Sequence, residues 1–185
     1  AALNEMSFMS DANFSGPATL KITTDDQGYT GFGGPQSDTD TVAITVTPVN
    51  DKPVNTIPGA QATNFNTDLV FSSSNGSLIS ISDVDAGNKP VKVTLAAANG
   101  ALTLSRTTGL TFSKGDGAAD VTMTFTGTLD AINAALDGLI FTPKANFGGA
   151  ASLTITTNDQ GNTGSGGAQS DIDTVNITVI PPATP

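Results

Sequence analysis

The strongest constraint on this chain is that it contains one long sequence twice. FMSDANFSGPATLKITTDDQGYTGFGGPQSDTDTVAITVTP (8–48) and FTPKANFGGAASLTITTNDQGNTGSGGAQSDIDTVNITVIP (141–181) align without a gap under a shift of 133 positions, from Phe8 to Phe141. About two-thirds of the aligned positions are identical, far above chance for unrelated segments. The match runs back to AALN (1–4) over AALD (134–137). Whatever fold the second copy adopts, the first copy is therefore its last third. The expected division is 1–49 as the end of one incomplete repeat, 50–182 as one complete repeat, and 183–185 as a tail, all read as part of a longer tandem array. A piece of about 50 residues with only a few strands cannot bury a core of its own. Its strand edges call for upstream strands or for another copy of the chain.

Local patterns indicate strands. LVFSS (69–73), LISIS (78–82), VKVTLAAA (91–98), ALTLS (101–105), LTFS (110–113), VTMTFTG (121–127), SLTITT (152–157) and TVNITV (174–179) alternate or run apolar with Thr and Val. Turn signals such as NG, GDG and NDQG separate them. TLDAINAALDG (128–138) departs from the pattern: Leu129, Ile132 and Leu136 share a helical face and Gly138 offers a C-terminal stop, so a short helix is expected. Many short strands, Gly-rich loops and one short helix per repeat point to an all-β chain of β-sandwich repeats.

The residues that are missing narrow the chemistry. There is no Cys, so neither a disulfide framework nor a thiolate metal site can form. There is no His, the commonest general base and transition-metal ligand. Serines have no partner to activate them, and with no Trp and one Tyr there is little to line a sugar subsite, so the chain is read as non-enzymatic. A net charge of −10 argues against nucleic acid. No apolar run approaches the roughly 18 residues of a membrane-spanning helix, and AALNEMSFMS lacks the features of a signal peptide. Any bound metal must be held by oxygen, which means a hard cation.

The carboxylates gather at strand ends. In SDVDAG (82–87) Asp83 and Asp85 are spaced to present both carboxylates to one point. In PVNDKP (48–53) Asn50 and Asp51 stand between two prolines that restrict the backbone on either side, which suits a clamp better than a hinge. Calcium, with six to eight oxygens in forgiving geometry, fits such a set better than magnesium.

Three pieces in order, SDVDAG, TTNDQG…SDIDTVNITV and PVNDKPV, resemble cadherin-like repeats of large bacterial calcium-dependent, type I-secreted surface adhesins. The resemblance covers essentially the whole chain. It implies a cadherin/Ig-like sandwich in tandem, with calcium at the junction between repeats. The implied ligands are Asn50, Asp51, Asp83 and Asp85, with a carbonyl from Asn88 and, from the earlier repeat, Asp11. NFNT (64–67) lacks the usual strand-A acids, Lys144 replaces the counterpart of Asp11, and VIPPATP (179–185) has no Asn-Asp, so a weak or absent site is expected at the downstream end. The implied role is an extracellular structural and adhesive module of the bacterial surface, stiffened by calcium, whose partners are neighbouring repeats. Two alternatives stand beside it. One is a carbohydrate- or surface-binding module using Tyr29 and Phe32 or a calcium-bridged glycan. The other is a fibre subunit completed by strands of other copies.

Asp and Asn also favour turns by bonding the local backbone. On that ground SDTD (37–40) and SDIDT (170–174) read as solvated hairpin loops, Asp26 and Asp159 as loop braces, and GFGG (31–34) and GSGG (164–167) as flexible loops, with Tyr29 and Phe32 packing locally.

Overall fold

The computed structural model describes residues 3–29 and 31–183; Ala1 and Ala2 of AALN, Thr30, and Thr184 and Pro185 of the tail lie outside the described residues. The chain divides into two compact units, Ala1–Val49 and Asn50–Pro185.

Among its described residues unit 1 has one antiparallel hairpin, β1 (Gly16–Asp25) and β2 (Ser37–Val46), with Gly16 opposite Val46 and Asp25 opposite Ser37. Alternation has its usual consequence along β1, where Ala18, Leu20 and Ile22 are half-buried and Thr19, Lys21 and Thr23 are exposed.

Unit 2 is a β-sandwich-like domain. Its elements are β3 (Val54–Thr56), β4 (Gln61–Asn64), β5 (Leu69–Phe71), β6 (Ser80–Ser82), β7 (Val91–Ala98), β8 (Gly100–Thr103), β9 (Thr111–Lys114), β10 (Thr122–Gly127), helix α1 (Leu129–Leu136), β11 (Leu139–Pro143), β12 (Gly149–Asn158) and β13 (Ser170–Ile180). One six-stranded sheet runs β4-β13-β12-β7-β10-β9, and a three-stranded sheet runs β5-β11-β8. The core lies between them: Val93, Leu95, Leu153 and Ile155 from the larger sheet meet Phe71, Leu102 and Phe141 from the smaller, all fully buried. The two strands β3 and β6 form a separate small sheet beside the linker.

Helix α1 begins at Thr128, whose hydroxyl accepts the Ala131 N–H (3.3 Å), and Ile132, Ala135 and Leu136 are buried. It ends at Asp137, after which Gly138 takes a φ of +97°, a left-handed conformation that suits glycine, and donates its N–H to the Phe71 carbonyl (2.8 Å). No helix among the described residues is long and apolar enough to cross a membrane.

Two expectations are corrected. Ser37–Asp40 and Ser170–Asp173 are not loops but the first residues of β2 and β13, because the strands pair in unbroken register up to Asp25–Ser37 and Asn158–Ser170. Tyr29 and Phe32 do not pack locally: both are among the most exposed large side chains, and Tyr29 merely donates its hydroxyl proton to Gln27 Oε1 (2.6 Å).

Candidate functional site

The residues after the unit boundary are fastened to unit 2 one by one. Asn50, 3 % exposed, donates its backbone N–H to the Ser165 carbonyl (2.8 Å) and its Nδ2 to Asp159 Oδ2 (2.6 Å) and the Gly167 carbonyl (3.0 Å). Gln169 Nε2 closes on the Asn50 carbonyl (2.6 Å). Lys52 pairs with Asp171 (2.7 Å). Asn55 then donates its N–H to Asp171 Oδ2 (2.8 Å), while its side-chain oxygen accepts the Thr157 hydroxyl proton (2.6 Å). Residues 50–55 are thus held against the 159–169 loop and β13.

The loop that receives Asn50 is shaped by Asp159. Its Oδ1 accepts the N–H groups of Gly161 and Gln169 (both 2.8 Å), and Oδ2 takes the Asn50 amide, so the buried carboxylate is satisfied entirely by donors. Bracing by Asp159 follows from its turn position. That it also grips an amide 109 residues earlier in the chain has no local signal.

β3 and β6 carry the linker to SDVDAG. They pair antiparallel with Val54 opposite Ser82, which sets the residues before β3 beside those after β6. Asp51 N–H consequently donates to Asp85 Oδ2 (3.0 Å). Asp83 Oδ1 folds back to accept the N–H groups of Asp85 (3.1 Å) and Ala86 (3.0 Å), an Asx turn. The far edge of β6 is pinned by α1: Asn133 Oδ1 accepts the Ile81 N–H (2.8 Å) and its Nδ2 donates to the Ile81 carbonyl (2.9 Å). An amide on a helix thus stands in for a neighbouring strand.

Three side-chain oxygens at this site are buried and accept no hydrogen bond: Asn50 Oδ1, Asp83 Oδ2 and Asp85 Oδ1. Burial, and then the adjacent Asp85 side chain, push the Asp83 carboxyl up to about 6, against the pull of the two backbone N–H groups. Burial also pushes Asp85 up. Hydrogen bonds from the Asp83 side chain, the Asp51 N–H and the Thr163 side chain outweigh it and hold Asp85 below the ordinary carboxyl range.

The structure joins Asp51 to Asp85 and Asp85 to Asp83, while the neighbouring Asn50 turns its amide to Asp159 and Gly167. Asn88 is exposed and joins none of these contacts. Asp11 belongs to unit 1, where its carbonyl accepts the Phe14 N–H (3.2 Å). Among the described residues no three acidic, His or Cys side chains cluster as a metal cage would require; the set here is two carboxylates and an amide oxygen. On the opposite side of the repeat pattern, Asn66, which stands where an acid was expected, uses its Oδ1 to accept the Asn146 N–H (3.0 Å).

No protein-family model matches the chain, and no curated protein does. Among solved structures it is similar to a cohesin module from a Clostridium perfringens ATCC13124 family 33 glycoside hydrolase, with 9 % identity and a TM-score of 0.43 over 70 % of this chain and 98 % of that one.

Proposed function

We propose that this chain is a non-catalytic structural module of an extracellular bacterial surface protein, built from tandem repeats, in which calcium held at Asn50, Asp83 and Asp85 locks the linker onto the repeat that follows it. The observation that carries the reading is the set of three buried oxygens without a donor. A buried acceptor left unpaired costs about 1–3 kcal/mol, and a cation accepting all three removes that cost. The donors are all oxygen, and the chain has no His or Cys to offer a softer metal. The Asp51 carboxylate and the Asn88 carbonyl would be further ligands, with water completing the six to eight that calcium takes. When bound, the ion would supply the positive charge that offsets the Asp83 and Asp85 carboxylates. The chain's own part is to hold Asn50 on Asp159 and to present the Asp83 Asx turn at the end of β6.

Extracellular calcium modules bind at roughly 10⁻⁴–10⁻³ M. At about 100 times the dissociation constant, binding adds about 2.7 kcal/mol to stability, a rise of about 10 °C in Tm for a domain of this size. A calcium titration of Tm should therefore rise and saturate for the natural chain and stay flat for Asp83→Ala/Asp85→Ala. A flat curve for the natural chain sinks the reading, as does an equal response in the double variant.

A second reading, contact with a glycan or surface, draws on the exposure of Tyr29 and Phe32 on one loop. It requires glycan-array binding that Tyr29→Ala/Phe32→Ala abolishes.

A further inference from the structure

The hairpin of unit 1 and the β12–β13 hairpin of unit 2 are the same structure. Pairing runs from Gly16–Val46 to Asp25–Ser37 in one and from Gly149–Val179 to Asn158–Ser170 in the other, every partner displaced by 133. The connecting loops are braced by the same bonds: Asp26 Oδ1 accepts the N–H groups of Gly28 and Gln36 (both 2.9 Å), as Asp159 Oδ1 accepts those of Gly161 and Gln169. Gln27 and Gln160 share the same left-handed backbone, with φ of 57° and 61°.

What differs is what lies against them. In unit 2, β12 pairs with β7 and β13 with β4, whereas β1 and β2 pair only with each other among the described residues. Core positions show the consequence. Leu136, Leu139 and Phe141 are fully buried and Val175 is 1 % exposed; their counterparts Leu3, Met6, Phe8 and Val42 are 65, 51, 50 and 48 % exposed. The apolar character of these positions is retained although nothing described covers them, and exposed apolar surface of this kind marks an interaction surface. Phe8, Phe14 and Ala18 line a hollow of about 210 Å³ on it.

The polar loop is equally prepared. In unit 2 the Asp159 loop grips Asn50 through Asp159 Oδ2, the Gly167 carbonyl and Gln169 Nε2. In unit 1 Asp26, Gly34 and Gln36 stand at the equivalent positions, and Gln36 Nε2 reaches only the Gly33 carbonyl at 3.5 Å.

We propose that unit 1 is a docking surface for a polypeptide segment of the type of residues 50–133. The Asp26–Gly34–Gln36 loop receives the asparagine of its Asn-Asp pair, and the apolar face of β1–β2 receives its β4- and β7-like strands. The internal repeat identifies this occupant, because the matching hairpin of unit 2 pairs its outer edges with β4 and β7 of that segment and grips its Asn50. The inference rests on the tandem-repeat part of the proposed function and not on calcium, so it is tested in chelator as well as in calcium.

The experiment places a second copy of residues 50–133 ahead of Ala1 and reads amide hydrogen exchange at Leu20, Ile22, Val42 and Ile44. In the 185-residue chain these amides should exchange at least about tenfold faster than their counterparts in β12–β13; in the extended chain the difference should close. Asp26→Ala in the extended chain should reopen it, and Leu20→Asp should restore fast exchange throughout β1–β2. Fast exchange in β1–β2 of the extended chain, while β12–β13 remains protected as a folding control, overturns the proposal. Protection that survives Leu20→Asp overturns it too. Should the extended chain fail to fold, the 50–133 segment is added as a separate polypeptide to the intact chain; protection of β1–β2 supports docking, and its absence refutes it. A calcium-insensitive Tm with closure of the exchange gap would sink the calcium reading alone.

Discussion

Asp159 and Asp83 are both partly or wholly buried carboxylates near one linker, and their surroundings set them opposite tasks. Asp159 meets three donors and serves as a fixed acceptor; its loss leaves the Gly161 and Gln169 N–H groups and the Asn50 amide without their partner. Asp159→Ala should therefore cost about 3 kcal/mol in denaturant unfolding of the full chain, and a cost below about 1 kcal/mol would contradict the clamp. Asp83 meets too few donors. Its folded carboxyl titrates near 6 against an ordinary value of 3.8, so the folded state binds the proton more tightly than the unfolded chain. The stability this contributes is present below about pH 4 and lost as pH rises from about 4 through 6. In chelator, natural chain and Asp83→Asn should show Tm differences that change across that window and become constant above it; parallel curves from pH 4 to 7 would refute the shift. The turn-forming role of these residues is legible in SDVDAG and NDQG, since an Asx turn needs only its neighbours. The pairing of Asn50 with Asp159 is not, because only the folded sheet brings the two together.

At the scale of elements, the site depends on a relay through one side chain. α1 holds Asn133 against Ile81 of β6, β6 pairs with β3, and the two short strands bring SDVDAG and the linker together. Asn133→Leu removes both bonds to the Ile81 backbone and leaves those groups unpaired, so we expect a loss of about 2 kcal/mol. The variant should also weaken the Tm response to calcium, although Asn133 touches none of the proposed ligands. An unchanged calcium midpoint would separate β6 from the site. Helix α1 itself is legible: three apolar residues on one face and a terminal Gly are local signals, whereas the Thr128 cap is seen only in the structure. β7, with its alternating Val-Lys-Val-Thr-Leu, was legible in the same way. β3, β4 and β11 were not. VNT and QATN are short and polar, and they become strands only because β6 and β13 offer paired edges; β4 even runs parallel to β13, a choice that no turn dictates.

At the scale of the whole molecule, two copies of one sequence occupy two environments, and energetics should follow environment. Leu153 is fully buried in the sandwich, so Leu153→Ala should cost about 2–5 kcal/mol. Leu20, at the same place in the repeat, is only half-buried; Leu20→Ala should cost less than about 1 kcal/mol. Unfolding of the two variants in the 185-residue chain checks this, and equal costs would mean that unit 1 is covered after all. The sequence by itself determined the all-β character, the single short helix, the oxygen-only chemistry and the equivalence of the two hairpins, because periodicity, missing His and Cys, and self-similarity are properties of residue order. Tertiary structure alone decided which strands flank those hairpins, that Asn50 locks onto Asp159, and that three oxygens are buried without donors. Those features arise from groups far apart in the chain, whose hydrogen bonds and burial exist only once the sheets have closed around them.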